Sequence, residues 1–371
     1  MKATVIGAGN SGLAMAAHLS RGGNSVTLWN RTGSTISRIS STHVIHCEGE
    51  IQGDIRIDTI TDDIRLALKD PDIVLITTPA NSHRELAELI AKNIRKSTVI
   101  VLNPGRTLGA LEFRRTYDRY NMEYPQTIAE TQTIIYTCRK TAEDSVHIMA
   151  MKDSVLISAL DARMNKDIIR YLPECIRPYF IPAESIIQTS IGNVGMILHC
   201  APLLLNVGRM EGAASHYKYY HEGITPTIAR FLERLDQERV RVSEALGYRV
   251  ESAREWMMRT YHVSGGSLYE CIQNNDAYKE IDAPTTLHHR YIFEDVSYGL
   301  VPLEAIGKKL GLDMKNTTLI VDLACRLLEE DYREKGYQLD YSASEITWLK
   351  ETAAHLVPDR SGKNESEISF S

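Results

Sequence analysis

The chain opens on short apolar runs separated by amphipathic stretches. "KATVI" at 2–6 leads through "GAG" into "NSGLAMAAHLSR", where apolar positions recur at helical spacing. "SVTLW" at 25–29 is a second strand-length run, and "PDIVLITTPA" and "STVIVLNPG" are later ones, apolar nearly throughout as strands buried on both faces are. Strands alternating with helices build a parallel sheet covered on both sides. From about Ser185 the pattern becomes helical, in "SIIQTSIGNVGMILHCAPLLLN", "TPTIARFLERLDQERVRVSEALG", "PLEAIGKKLG" and "NTTLIVDLACRLLEEDYREKG". In the second of these Thr225 supplies an N-cap, Pro226 the first turn and Gly247 the stop.

The first strand-to-helix turn carries Gly7, Gly9 and Gly12 in G-x-G-x-x-G spacing, with Asn10 and Ser11 opening the helix. Such a turn needs positive φ and close backbone approach, and the helix N-terminus it feeds offers free N–H groups to a pyrophosphate. The motif alone is weak; its place between a strand and a helix, with a second strand following, supplies the context it needs. The expected fold is α/β: an N-terminal Rossmann-type, doubly wound parallel sheet over 1–184 and a C-terminal all-helical domain over 185–357. A polar tail, "PDRSGKNESEISFS", follows over 358–371. At 371 residues the chain exceeds one ordinary core, and a cleft between two domains is a favoured ligand site.

Composition narrows the classes. The chain is 43% hydrophobic and 24% charged, ordinary for a globular protein, and its net charge of −6 argues against nucleic acid as a partner. Six cysteines without CxxC or zinc-like spacing indicate no metal site and fit a reducing, cytoplasmic location. The N-terminus reads as a strand rather than a signal peptide, and no apolar run reaches the roughly 18 residues that span a bilayer, so no membrane is expected.

The end of the second strand bears on the cofactor. NAD-selective sites place Asp or Glu there, about 20 residues past the glycines. This chain has Asn30 and Arg31, with Thr32 and Ser34 nearby, and no carboxylate in the segment to repel a 2′-phosphate. Arg31 can pair with that phosphate, so NADP(H) is expected over NAD(H); a solvated surface arginine is the alternative. Two later strand ends, "TTPANSH" with Pro79 and "NPGRTLG" with Asn103 and Pro104, sit where open α/β sheets bind ligands. Arg106, a cation in the second of these loops, is a candidate for holding a substrate carboxylate.

His199 sits inside "GNVGMILHCAPLLLN". Counted at helical spacing, its face holds Gly192, Gly195, Pro202 and Asn206, while bulky aliphatics occupy the others. A stripe of small residues beside an imidazole admits two explanations, a closely packed helix or a ligand, and the pattern alone decides neither. Pro202 is placed to kink the segment.

Several segments in order across nearly the whole chain resemble the opine dehydrogenase family, the octopine/nopaline dehydrogenase group: "NPGRTLGALEF", "IAETQTIIYTCR", "GNVGMILH", "YYHEGITPTIARFLERLDQERVRVSEALG" and "HHRYIFEDVSYGLVPLEAIGKKLG". The resemblance implies reductive condensation of an amino acid with a 2-oxo acid, often pyruvate, by hydride transfer from NAD(P)H to an imine. It implies His199 and Asp295 as an acid/base dyad and Arg290 as an arginine reaching towards the cofactor pyrophosphate. Glu130 and Thr131 match positions near the amino-acid substrate. Ser297 departs from the proline expected in EDVP, a change to the turn rather than to the chemistry. An imidazole exchanges protons near neutral pH, and the carboxylate would fix its tautomer and favour the imidazolium. Glu294, beside Asp295, is expected to be solvated. Tyr217, Tyr219 and Tyr220 form either an aromatic wall or interhelical packing, with packing expected. The apolar helices offer a homodimer interface.

Two rival readings keep the fold. Ketone-reducing enzymes of the ketopantoate reductase and glycerol-3-phosphate dehydrogenase type rely on a lysine near the start of the helical domain, and none lies between Lys166 and Lys218. A non-catalytic NADP(H) sensor would need the glycine turn and Arg31 but neither His199 nor Asp295.

Overall fold

The computed structural model describes residues 1–337 except 213–215, together with 339, 342, 346, 347 and 349. The polar tail and the last stretch of the expected helical domain lie outside the described residues. Among the described residues there are twelve strands: β1 (Lys2–Ile6), β2 (Ser25–Trp29), β3 (Val44–Gly49), β4 (Gly53–Arg56), β5 (Thr59–Thr61), β6 (Ile73–Ile76), β7 (Val99–Leu102), β8 (Thr127–Thr131), β9 (Tyr136–Ala142), β10 (Ser145–Met151), β11 (Val155–Ala159) and β12 (Phe180–Pro182).

The main sheet runs β12-β11-β8-β7-β6-β1-β2-β5. Its six strands from β8 to β5 pair in parallel, as their continuous burial requires: every residue of β6 and β7 is buried. The sheet is not wholly parallel, because β11 joins β8 antiparallel. The strand order reverses between β1 and β6, which opens a ligand crevice at the carboxyl ends of these two strands.

A second sheet, β4-β3-β10-β9, is absent from the sequence reading. It packs on the helix Asn10–Arg21, whose residues Leu13 to Ala17 and Leu19 are all buried. This explains why that helix is apolar nearly all round: one face meets the main sheet and the other meets β9 and β10.

After β12 the described chain is mostly helical. The segment Ile186–Leu205 is long and apolar enough to cross a membrane, with mean hydropathy 1.2, which corrects the expectation that no such stretch exists. It is 83% buried inside the fold, as a core helix is, and it is not one continuous helix. Helices Ile186–Ile191, Gly195–Leu198 and Cys200–Leu205 follow one another, with turns at Gly192–Val194 and at His199. The break therefore comes before Pro202, and the single-face projection drawn from His199 does not hold along the whole segment.

The 20-residue helix Pro226–Ala245 begins where Thr225 accepts from the Ile228 N–H, and Gly247 ends it at φ +97°. Its Arg239 is fully buried. The guanidinium pairs with Asp236 at 2.7 Å and donates to the carbonyls of Ile191 and Glu251 at 2.7 and 2.6 Å. A buried cation with all these partners fixes the end of the Ile186–Ile191 helix, and so the turn that follows it.

Candidate active site

The glycine turn is built to accept a dinucleotide. Gly7 has φ +103°, and a Cβ on Gly12 would stand 1.7 Å from the Gly7 carbonyl oxygen, so both positions exclude larger residues. Gly9 faces open space and starts the helix without any side-chain cap, leaving its first N–H groups unclaimed for an anion. Gly9, Asn10 and Ser11 line a cleft of about 490 Å³, whose walls also include Pro79, Asn103, Arg106, His199 and Arg290.

Around this turn, Asn30 accepts from the Ala8 N–H at 3.1 Å, which ties the end of β2 to the glycines. Arg31 is exposed and pairs with Glu85 at 2.8 Å. The segment after β2 holds no carboxylate, but the fold brings one from the His83–Asn93 helix, which corrects the picture of an unopposed cation. Pro79 and Asn103 follow β6 and β7 at the crevice, and the Asn103–Pro104 peptide is cis.

His199 and Asp295 meet. Nδ1 of the imidazole lies 2.9 Å from Oδ2 of Asp295, across 96 residues of chain. The carboxylate accepts from Nδ1–H, so Nε2 carries the lone pair. Tyr291 stacks on the ring at 4.0 Å with an interplanar angle of 11°, and the Tyr219 hydroxyl donates to the His199 carbonyl. These contacts hold ring and backbone together. Burial lowers the imidazole below its ordinary value near 6.5, against the opposing pull of Asp295. Desolvation therefore outweighs the pairing expected to favour the imidazolium, and the ring is neutral at pH 7. Burial also works against the Asp295 carboxylate, but Arg106 and then His199 outweigh it, and the net is a lowered value.

Arg106 completes the cluster. It sits in a loop at φ +64° and is 6% exposed. Its guanidinium lies 2.6 Å from Asp295 Oδ1, 3.0 Å from Glu294 Oε1 and 3.1 Å from Asn193 Oδ1. Its Nε–H is donated to Glu294 and an Nη1–H to Asn193, so towards Asp295 it acts as a close positive charge rather than as a hydrogen-bond donor. Glu294, expected in solvent, is 2% exposed and also accepts from the Ala80 N–H at 3.3 Å. The reason is local: two adjacent acids on a short helical stretch both face one arginine. Arg290, whose side chain is 47% exposed, stands 3.5 Å from the same Glu294 at the cleft wall.

Gly195 now has its explanation. A Cβ there would lie 2.8 Å from Arg106 Nη1 and 3.3 Å from His199 Cε1, so the small residue makes room for the arginine. Asn193, which the sequence reading passed over, holds this turn: its Oδ1 accepts from the Gly195 N–H and Arg106, and its Nδ2 donates to the Gln132 carbonyl. Its position between the two glycines of "GNVG" was the available signal.

Glu130 and Thr131 lie beneath the cleft, 0% and 1% exposed. Glu130 accepts from Ser190, Thr189 and the Ala110 N–H, and Gly105 packs directly on it. Burial raises its carboxyl to about 7. Tyr217, Tyr219 and Tyr220 are all buried, as packing requires, yet Tyr220 also lines the cleft and stacks on Tyr278 at 4.1 Å. Lys152, outside the window searched for a lysine, lines the cleft as well.

The model of the NAD/NADP octopine/nopaline dehydrogenase alpha-helical domain matches residues 182–328, and that of the NAD-dependent glycerol-3-phosphate dehydrogenase N-terminus matches 2–105. An opine dehydrogenase from Arthrobacter sp. (strain 1C) is 36% identical over 337 residues, which cover 91% of this chain and 93% of that protein. A vitopine synthase from Allorhizobium ampelinum (strain ATCC BAA-846 / DSM 112012 / S4) is 24% identical over 348 residues, 91% of this chain and 94% of that one. Octopine dehydrogenase in complex with NADH and agmatine has the same fold, with a TM-score of 0.71 over 95% of both chains at 17% identity. NADP+-bound yersinopine dehydrogenase gives 0.69 over 96% of this chain and 99% of that chain at 13% identity. A Rossmann-type domain and a helical domain with a glycine turn, together with identity of this extent along nearly the full length, place the chain in the opine dehydrogenase family of NAD(P)-dependent oxidoreductases.

Proposed function

We propose that the protein condenses the amino group of an apolar amino acid with a 2-oxo acid, pyruvate by preference, and reduces the product with NADPH in preference to NADH. The observation that carries this reading is the pairing of His199 Nδ1 with Asp295 Oδ2 at 2.9 Å inside the cleft that begins at the glycine turn. Solved structures of octopine dehydrogenase with NADH and either L-arginine or pyruvate support the substrate classes. Arg31 supports the choice of NADPH, and its pairing with Glu85 is what a 2′-phosphate has to displace. The wall formed by Tyr220, Trp256, Tyr261 and Tyr278 supports an apolar amine, since the lining carboxylates are Glu294, paired with Arg106, and Asp282, paired with Lys218.

The chain's own groups account for the proton steps. His199 Nε2 takes a proton from the substrate ammonium, and the freed amine attacks the 2-oxo carbon, forming the C–N bond. The imidazolium, stabilised by Asp295, returns that proton to the carbinolamine hydroxyl, which leaves as water and gives an iminium ion. A reduced nicotinamide supplies the hydride that completes the reaction. Arg106 holds the Asp295 carboxylate ionised throughout.

A matrix of amino acids against pyruvate and 2-oxoglutarate, run with NADPH and with NADH, tests the reading. Oxidation of NADPH is expected only when amine and 2-oxo acid are both present, with kcat/KM at least about tenfold higher for phenylalanine or leucine than for arginine, the scale of one buried apolar group. Oxidation with the 2-oxo acid alone would instead mark a ketone reductase. A lead for NADH would overturn the cofactor preference.

A further inference from the structure

Among the described residues four side chains of Arg or Lys line the cleft: Arg106, Arg139, Lys152 and Arg290. Arg106 is committed to Asp295, Glu294 and Asn193. Arg139 is exposed and donates to the Asp282 carbonyl at 3.4 Å, and Arg290 is half exposed beside Glu294. Lys152 differs from all of these. It is 6% exposed, and its ammonium donates to the carbonyls of Ile134 and Tyr136 at 2.9 and 2.8 Å.

An ammonium has three N–H donors, and these carbonyls use two. The charged or ionisable groups that bear on Lys152 are the Cys138 thiol from β9 and the Arg290 guanidinium from the helical domain, with no carboxylate among the described residues. Buried charges in folded proteins are as a rule paired, because an unpaired one pays desolvation without return. The carbonyls it bonds belong to the stretch running from Gln132 to Tyr136, which itself lines the cleft. The missing counter-charge therefore belongs on the cleft side.

We propose that Lys152 binds a carboxylate of a substrate in the cleft, supplying the charge that Arg106 has already given to Asp295. This rests on the condensation reading only in that both of its substrates, the amino acid and the 2-oxo acid, carry such a group. Burial lowers the lysine to about 8, with Cys138 raising and Arg290 lowering it. It is charged at neutral pH and loses its proton, and with it its hold on a carboxylate, as pH rises through that value.

The test is binding and kinetics on wild type, Lys152→Met and Lys152→Arg. Calorimetry of pyruvate and of an amino acid titrated separately into the enzyme–NADPH complex reads the carboxylate contact without turnover. Loss of one charge-assisted hydrogen bond is expected to weaken one of these two ligands about 10- to 100-fold in Lys152→Met, and to identify which one. Lys152→Arg should retain most of that affinity, and the affinity for NADPH should stay within about twofold for both variants. In wild type the same ligand should weaken as pH rises past about 8, a readout that needs no variant to fold. Unchanged affinity for both carboxylates, or a loss confined to NADPH, overturns the proposal. If wild type turns over no pair but Lys152→Met still loses carboxylate binding, the condensation reading fails and this one stands; turnover with unchanged KM values in Lys152→Met gives the reverse.

Discussion

In the proposed reaction the proton chemistry rests on one imidazole and the carboxylate that orients it. Removing a positioned acid/base costs about 10²–10⁴ in rate. His199→Ala is therefore expected to lose kcat by that factor while NADPH still binds, and Asp295→Asn to lose it through a misdirected ring. Pre-steady-state turnover with NADPH bound measures both, and full activity in either variant removes the dyad from the mechanism. The pH dependence has a definite sign. His199 is lowered by burial, so the base is neutral at pH 7, and kcat/KM is lost as pH falls through a value below 6.5. An acid limb above 6.5 would mean that the imidazolium, rather than the neutral ring, is the resting form.

The elements that carry these residues are short and are held by one another. The loop bearing Arg106 leaves β7, and the turn bearing Asn193 and Gly195 leaves the Ile186–Ile191 helix; they meet through Asn193. Asp295 sits at the start of a π-helical turn, Val296–Leu300, where the Leu300 N–H reaches the Asp295 carbonyl at 3.0 Å. π-turns recur at functional sites because they shift a side chain out of helical register. Ser297, the position where the resemblance leads to proline, is buried in that turn. Gly195→Ala tests this packing: the added methyl must displace Arg106 Nη1, from which it would stand 2.8 Å. A shift of about 1 Å at a reacting group costs roughly 100-fold in rate. A fall of that size in kcat with the melting temperature nearly unchanged is expected, whereas undiminished kcat would show that the arginine's position is not critical.

At the scale of the whole molecule, the two domains are tied under the cleft by Glu130. It sits on β8 and accepts from Ser190 and Thr189 in the helical domain and from Ala110 in the Rossmann domain. Its folded value, about 7, lies above the ordinary 4.5 because burial outweighs those donors. The protonated form is favoured by folding, so this contribution is fully present below 4.5 and is lost as pH rises to about 7, at about 1.4 kcal/mol per unit of separation. Glu130→Gln is expected to flatten the stability–pH curve across that window, as read by urea unfolding from pH 4.5 to 8. Parallel curves for the two proteins would show that Glu130 titrates normally.

Local pattern was enough for much of this. The apolar runs of β1, β2, β6 and β7, the glycine turn, and the cap and stop of the Pro226–Ala245 helix follow from periodicity and turn chemistry, which act over a few residues. The second sheet did not follow, because β3 finds its partner β10 about a hundred residues away and β4 joins the sheet only through β3. The surroundings of each site charge were hidden for the same reason: that Glu85 meets Arg31, that Glu294 is buried on Arg106, and that Lys152 is enclosed without a carboxylate. A sequence determines which side chains can do chemistry and which backbone can form the cradle. Only the folded chain decides which charges are brought together and how dry they are, since pairing and desolvation depend on neighbours distant in sequence, and these two terms set whether His199 rests as a base or an acid.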